Sequence, residues 1–178
     1  MDLSTLVQLQ VSDDIEIKPF KCADEDLNDF LFDDAKHFQR ELMAVTYLLN
    51  ENLTAAYFSL LADKISFNPY EKRIWNRLNR NIPNQKRRKN YPAVKIGRLA
   101  VNEQYAGCGI GTFILDSIKY TFTTVKRLGC RFLTVDALSS ATSFYEKNGF
   151  LFFTEADRND ETRLMFYDLK NFESQNQH

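Results

Sequence analysis

Val94-Lys-Ile-Gly-Arg-Leu-Ala-Val101, followed after a short polar link by Gly107-Cys-Gly-Ile-Gly111, decides the fold. An apolar strand runs into a glycine-rich turn, and the turn opens a helix. Glycine carries no Cβ, so the backbone there can approach a ligand closely. A helix start also presents unpaired N–H groups and the positive end of the helix dipole. Together these make a seat for phosphate.

Outward from that stretch, the chain alternates strand and helix signals. Ile15-Glu-Ile-Lys18 alternates before Pro19-Phe20 and reads as a first strand. Asp24, Glu25 and Asp26 place acids at a helix start. Leu27, Phe30, Leu31, Ala35 and Phe38 recur at helical spacing, predicting an amphipathic helix from Asp24 to Leu42. Ala44–Leu49 and Thr54–Leu61 read as two strands around Asn50-Glu-Asn52. From Lys64 to Tyr91 the rhythm breaks, with a short helix near Ile74, Trp75 and Leu78 and then the basic run Lys86-Arg-Arg-Lys89. Past the glycine turn, Ile110, Ile114, Ile118, Phe122 and Val125 share one helical face, and Lys126-Arg127 with Gly129 mark its end. Arg131–Ala137 reads as a strand. Ser139 or Ser140 is placed to cap a short helix, Ala141–Asn148, that Gly149 stops. Phe150–Thr154 and Arg163–Leu169 form a last strand pair, and Asn171–His178 is a polar tail expected to fray. This order implies an α/β or α+β sandwich around a mixed sheet.

The 178 residues favour one domain, with a core over about residues 14–170. Hydrophobic content of 44% and charged content of 26% are ordinary for a water-soluble protein. The net charge of −1 gives no global attraction to nucleic acid or membrane. No apolar run spans a bilayer, and the first residues lack a signal-peptide pattern, so a cytoplasmic location is expected. Cys22, Cys108 and Cys130 are widely spaced and read as free thiols of a reducing compartment. His37 and His178 stand apart from any ligand cluster, so no metal site is expected.

Three phosphate-binding readings compete for the glycine turn. A P-loop ends in Gly-Lys-Ser/Thr, and here Gly111 precedes Thr112 with no lysine. A dinucleotide fingerprint needs G-x-G-x-x-G, and the spacing here is G-x-G-x-G. The third reading fits. Gly97-Arg-Leu-Ala-Val101, then Tyr105-Ala-Gly-Cys-Gly-Ile-Gly111, then Phe144-Tyr-Glu-Lys-Asn-Gly-Phe150 resembles the GNAT superfamily of acyl-CoA N-acyltransferases. The resemblance covers most of the chain and is strongest from Val94 to Phe153. Ala106 stands where that family usually has Gln or Arg, so one cofactor-binding side chain is missing.

The resemblance implies a mixed, mostly antiparallel central sheet with splayed central strands and helices on both faces. It implies acetyl-CoA as co-substrate, with the backbone from Gly107 through Cys108, Gly109, Ile110 and Gly111 to Thr112 around the pyrophosphate. The main chain of Leu99, Ala100 and Val101 would pair with the pantetheine arm. Tyr145 matches the family tyrosine that reaches the CoA sulfur. A thiol ionises near pH ~8.5 and tyrosine near ~10, so Tyr145 is expected to hydrogen-bond the leaving thiolate rather than protonate it outright. Glu103 and Asp136 are both candidates for general base, and both suit solvated surface acids equally well. Cys108 lacks a neighbouring base, which disfavours a covalent route.

The acceptor stays open at this stage. A small-molecule or protein primary amine is one reading. Asp26-Leu-Asn-Asp-Phe-Leu31 with Gly97–Val101 looks like the branch holding acetyltransferase toxins of toxin–antitoxin modules, which implies the amino group of aminoacyl-tRNA and an antitoxin partner. The basic region Lys72–Lys89, with Trp75 or Tyr91 as a stacking surface, could follow an RNA backbone. A homodimer is compatible with the reading, and so is a module that binds acyl-CoA without transferring its acyl group.

Overall fold

The computed structural model describes residues 3–80, 82–125 and 128–175. Strands β1 (Val7–Gln10), β2 (Val45–Asn50), β3 (Thr54–Ser66), β4 (Asn90–Val101), β5 (Phe132–Leu138), β6 (Leu151–Phe152) and β7 (Thr162–Asp168) are hydrogen-bonded in the order β1-β2-β3-β4-β5-β7-β6. The sheet is mixed. β4 and β5 run parallel, pairing Ala93, Val94 and Lys95 with Phe132, Leu133 and Thr134, whereas β1–β2, β2–β3, β5–β7 and β6–β7 are antiparallel. The helices are α1 (Glu25–Asp29), α2 (Ala35–Arg40), α3 (Lys72–Leu78), α4 (Ile110–Tyr120), α5 (Thr142–Lys147) and α6 (Leu169–Gln175). A β4–α4–β5 crossover thus carries the glycine turn.

The chain packs as two units. The first comprises the chain up to Leu61 together with Ile96–Lys119. Its core gathers Val11, Phe20, Phe30, Leu31, Leu48, Tyr57 and Ala100. Asp24 starts α1 as the sequence predicts, its carboxylate accepting from the Leu27 N–H at 3.3 Å. A π-helical turn, Phe30–Asp34, then joins α1 to α2, so one amphipathic run bends onto β2 and β3. Tyr57 is fully buried and donates its hydroxyl to the Leu27 carbonyl at 2.6 Å, which ties that helical run to the sheet.

The second unit comprises Ala62–Lys95 and the chain from Tyr120 onward. An aromatic core of Trp75, Tyr91, Phe132, Phe153 and Phe166 holds it together. Rings meet edge-to-face or tilted at 6.0–6.3 Å from Tyr91 through Phe132 and Phe166 to Phe153, geometries that suit the ring quadrupoles.

Several local expectations need correction. Ile15–Lys18 is not a strand; the N-terminal strand is Val7–Gln10, paired with β2. Ile15 closes a turn on the Ser12 carbonyl, and the carbonyls of Lys18 and Pro19 accept from Thr54. Ile15 and Ile17 still pack on the first core, so the alternation reports burial without a ladder. The strand expected over Phe150–Thr154 is only Leu151–Phe152. Ser139 does not cap α5, because its hydroxyl donates to the carbonyls of Asp160 and Glu161. The tail is helical through Gln175 rather than frayed from Asn171. Asp168 explains this, accepting from the Lys170 N–H at 3.1 Å while a bidentate pair with Arg131, at 2.6 and 2.8 Å, fixes its carboxylate. The expected stop signal Lys126-Arg127 lies outside the described residues. Among the described residues, no helix is long and apolar enough to cross a membrane.

Candidate active site

In the first unit the phosphate seat is built from the end of β4. Asn102, 3% exposed, donates its N–H to the Ala55 carbonyl (2.9 Å) and its side-chain amide to the Thr54 carbonyl (3.0 Å). Its side-chain oxygen accepts from the Gln104 N–H at 3.1 Å and opens a tight turn, Glu103–Tyr105. Tyr105 then donates its hydroxyl to the Glu51 carboxylate at 3.1 Å. The backbone leaves this anchored turn and crosses residues 106–109, all exposed, before α4 begins.

Gly107 and Gly109 have φ of 77° and 81°. This left-handed conformation suits glycine and is strained for other L-residues. A Cβ at either position would meet nothing within 4 Å, so the glycines serve backbone conformation and leave the surface bare. The Phe113 N–H donates to the Gly109 carbonyl at 3.0 Å as the first bond of α4. Ile110, Gly111 and Thr112 therefore form the first turn, whose N–H groups have no partner inside the helix. The Cys108 N–H is engaged on the Tyr105 carbonyl at 3.2 Å. The Cys108 thiol is exposed and free, and its sulfur lies 3.9 Å from the Ala106 carbonyl rather than beside a base.

Leu99 and Val101 are half-buried and Ala100 is buried. One residue earlier, Arg98 brings together the two segments that the sequence linked. Its guanidinium lies 5.0 Å from the centroid of the Phe30 ring and 3.5 Å from the Asp26 carboxylate. A Cβ on Gly97 would stand 2.7 Å from a Leu61 methyl group, so β4 approaches β3 tightly there.

In the second unit Tyr145 sits on α5, 6% exposed, with its ring edge-on to Phe144 (5.0 Å) and Phe150 (5.4 Å). Its carbonyl accepts from the N–H groups of Asn148 and Phe150, which closes the helix at Gly149. Burial pushes its phenol up to about 12. Among the described residues none hydrogen-bonds its hydroxyl. The side chain is a rigidly held, neutral O–H donor.

The two general-base candidates differ. Glu103 forms a loose surface ion pair with Lys21 at 3.9 Å. Asp136 is paired with Lys95 and lines a cleft of about 250 Å³ in the second unit. Asp63, Lys95 and Thr134 line the same cleft and escape the sequence reading. The available signal was polar residues inside otherwise apolar strands. One suggestion is corrected: Trp75 and Tyr91 are each 8% exposed and stack on each other at 5.3 Å, so they are core rather than an RNA platform. Lys72, Arg73, Arg77, Arg80 and Lys86–Lys89 are all exposed.

Comparison with known proteins bears on the fold. Residues 80–151 match the acetyltransferase (GNAT) domain family. No curated protein matches the sequence. Among solved structures, a tyrosine-to-phenylalanine mutant of KacT is 24% identical with a TM-score of 0.75, covering 96% of this chain and 98% of that one. AtaT complexed with acetyl-methionyl-tRNAfMet is 24% identical with a TM-score of 0.73, covering 95% and 98%. A mutant AtaT toxin bound to the C-terminus of the antitoxin AtaR and acetyl-CoA is 22% identical with a TM-score of 0.74, covering 96% and 97%. Residues 80–151 thus match the acetyltransferase (GNAT) domain family, and over almost its whole length the chain has the fold of these solved structures.

Proposed function

We propose that the whole chain works as one N-acetyltransferase domain that moves the acetyl group of acetyl-CoA to the amino group of an aminoacyl-tRNA. The observation that carries the reading is the bare start of α4, where two left-handed glycines expose the first-turn N–H groups. Those groups, from Gly109 to Thr112, suit a pyrophosphate. The main chain of Leu99, Ala100 and Val101 would pair with the pantetheine arm as an added strand.

The chemistry is direct attack in a ternary complex. The amine loses a proton and its nitrogen bonds the acetyl carbonyl carbon. The carbon–sulfur bond then breaks and its electron pair leaves on sulfur. Tyr145 donates a hydrogen bond to that sulfur. With the phenol near 12 and a thiol near ~8.5, full proton transfer from tyrosine would be uphill by roughly 5 kcal/mol. Tyr145 therefore stabilises the leaving thiolate while the amine's own proton, passed to water or to Asp136, finally neutralises it.

The tRNA acceptor is supported by the exposed cations from Lys72 to Lys89, and by the similar fold of AtaT, which is known in complex with acetyl-methionyl-tRNAfMet. An antitoxin partner is supported in the same way by AtaT bound to AtaR. The test is incubation with labelled acetyl-CoA, charged tRNA and a panel of free amines. The expected result is label on the aminoacyl group with release of CoA. Label only on small amines or proteins would restrict the reading to a general N-acetyltransferase. Acetyl-CoA binding with no transfer to any amine would favour a non-catalytic module. At about a hundred times Kd, acetyl-CoA raises stability by about 2.7 kcal/mol, so binding is readable by melting alone.

A further inference from the structure

The cleft of the second unit holds unsatisfied anionic capacity above an apolar floor. Lys95 stands opposite Thr134 across the parallel ladder, and Thr134 stands opposite Phe166 across the antiparallel one. Period-two alternation puts Asp136 on the same face as Thr134, and Asp63 reaches that face from β3. Thr134, 2% exposed, donates its hydroxyl to one oxygen of Asp63. Lys95 donates to one oxygen of Asp136. Among the described residues, the second oxygen of each carboxylate has no donor. Lys64 also borders the cleft, but it is exposed, and alternation along β3 turns its side chain away from the Asp63 face. Two carboxylates and one ammonium, already paired with Asp136, thus line the cleft, and its lining includes Phe153 and Phe166.

Asp63 is half-buried and Asp136 exposed, so their open oxygens are free to accept from water or from a ligand that brings donors, and the net negative charge favours a positive one. A protonated primary amine meets both needs, and the floor adds a preference for an apolar group on the neighbouring carbon. A free carboxylate on the same carbon would face Asp63 and Asp136, and because the Lys95 ammonium is already paired with Asp136 the net charge left in the cleft would repel it. The volume of about 250 Å³ falls just below the ~300–1,000 Å³ typical of drug-sized ligands and suits an amino-acid-sized group.

We infer that this cleft is the acceptor pocket, that Asp63 and Asp136 hold the acceptor's ammonium group, and that it selects amino acids whose carboxyl is masked as an ester or amide. The inference rests on the acetyltransferase reading and deepens it, since the amino acid of an aminoacyl-tRNA is such an ester. Asp63 acts here as a binding residue held in place by Thr134.

The test is calorimetric titration of the full chain at low salt and pH about 6.5, where an α-amine is protonated. The probes are methioninamide and free methionine. Methioninamide is expected to bind about tenfold or more tightly than methionine, and Asp63→Asn to weaken methioninamide by about tenfold, as for loss of one charged hydrogen bond. Asp63→Glu, which keeps the charge, is expected to recover most of that loss. Far-UV circular dichroism establishes that each variant is folded. If Asp63→Asn does not fold, Asp136→Asn and the pair of probes on the unchanged protein decide. Equal affinity for the two probes, no binding of methioninamide at millimolar concentration, or unaltered binding by the folded asparagine variants would overturn the assignment. Acetyl-CoA binding and CoA release are measured separately. A protein that transfers acetyl groups but binds neither probe disproves only the cleft. One that binds methioninamide but never releases CoA disproves only the acetyltransferase reading.

Discussion

The side-chain amide of Asn102 donates to the Thr54 carbonyl at 3.0 Å, so the first residue after β4 is bonded to the first residue of β3. The same side chain starts the next turn through Gln104. One buried residue thereby fixes where β4 ends and in which direction the phosphate seat begins. Asn102→Ala removes both bonds and leaves the Thr54 carbonyl without that donor. The expected loss is about 1–3 kcal/mol, read as a lower urea midpoint with an unchanged slope. Acetyl-CoA affinity should fall as well, because the seat loses its anchor.

Gly109→Ala separates backbone strain from steric clash. At φ 81° an L-residue is strained by roughly 1–2 kcal/mol, yet the new methyl group meets nothing within 4 Å. Melting temperature should therefore drop modestly, while acetyl-CoA binding drops by more than the stability loss explains. Calorimetric titration of the folded variant measures this. Binding equal to that of the unchanged protein would remove the phosphate role of the turn.

Legibility followed the range of the interactions. The strand–turn–helix of Val94–Thr112 could be read because local patterning and glycine chemistry decide it. The place of Tyr145 on a short helix stopped at Gly149 could be read because Phe144, Gly149 and Phe150 lie within a few residues of it. The Asp63–Thr134 bond joins residues 71 positions apart, and no local pattern reports such a contact. Asp168 as the cap of α6 was hidden for a similar reason, since Arg131, just before β5, holds it from 37 positions away. Trp75 and Tyr91 misled because an aromatic residue beside a basic run looks the same whether it stacks on a base or on another ring. Only the packing around Phe132 decides between the two.

Tyr145→Phe should leave the fold intact, because its ring contacts remain and no described residue bonds its hydroxyl. Turnover should fall by at least about tenfold with the KM for acetyl-CoA little changed, the pattern for a group acting mainly in the transition state. Burial holds the phenol up to about 12 in the fold, against ~10 in the unfolded chain. The unfolded state thus loses its proton first as pH rises. This contribution to stability is fully present below pH ~10 and disappears between ~10 and about 12. Its size is on the order of 3 kcal/mol. Tyr57, raised still further by burial, adds to the same alkaline decline. Denaturation of wild type and Tyr145→Phe from pH 8 to about 11.5 should show a shallower alkaline fall in the variant.

Recognition of tRNA should rest on the exposed cations and not on the buried rings. Lys86, Arg87, Arg88 and Lys89 are exposed in the loop before β4, and the Arg88 N–H donates to the Tyr91 hydroxyl at 3.2 Å, so the loop is held from below. Each phosphate contact contributes about 0.7–0.9 to the slope of log affinity against log salt. Replacing Lys86 and Lys89 with glutamine should weaken tRNA binding and flatten that slope by about 1.4–1.8 for two phosphate contacts. Acetylation of a small free amine should not change, because neither residue lines the cleft of the second unit. Tyr70, 93% exposed and N-terminal to α3, is an aromatic residue open to stacking in this region. Tyr70→Ala should weaken tRNA by about 1–3 kcal/mol with no change in the salt slope, since a stacked base releases no counterion. Filter binding across a salt series separates the two effects. A slope unmoved by the double glutamine variant would detach the basic loop from RNA.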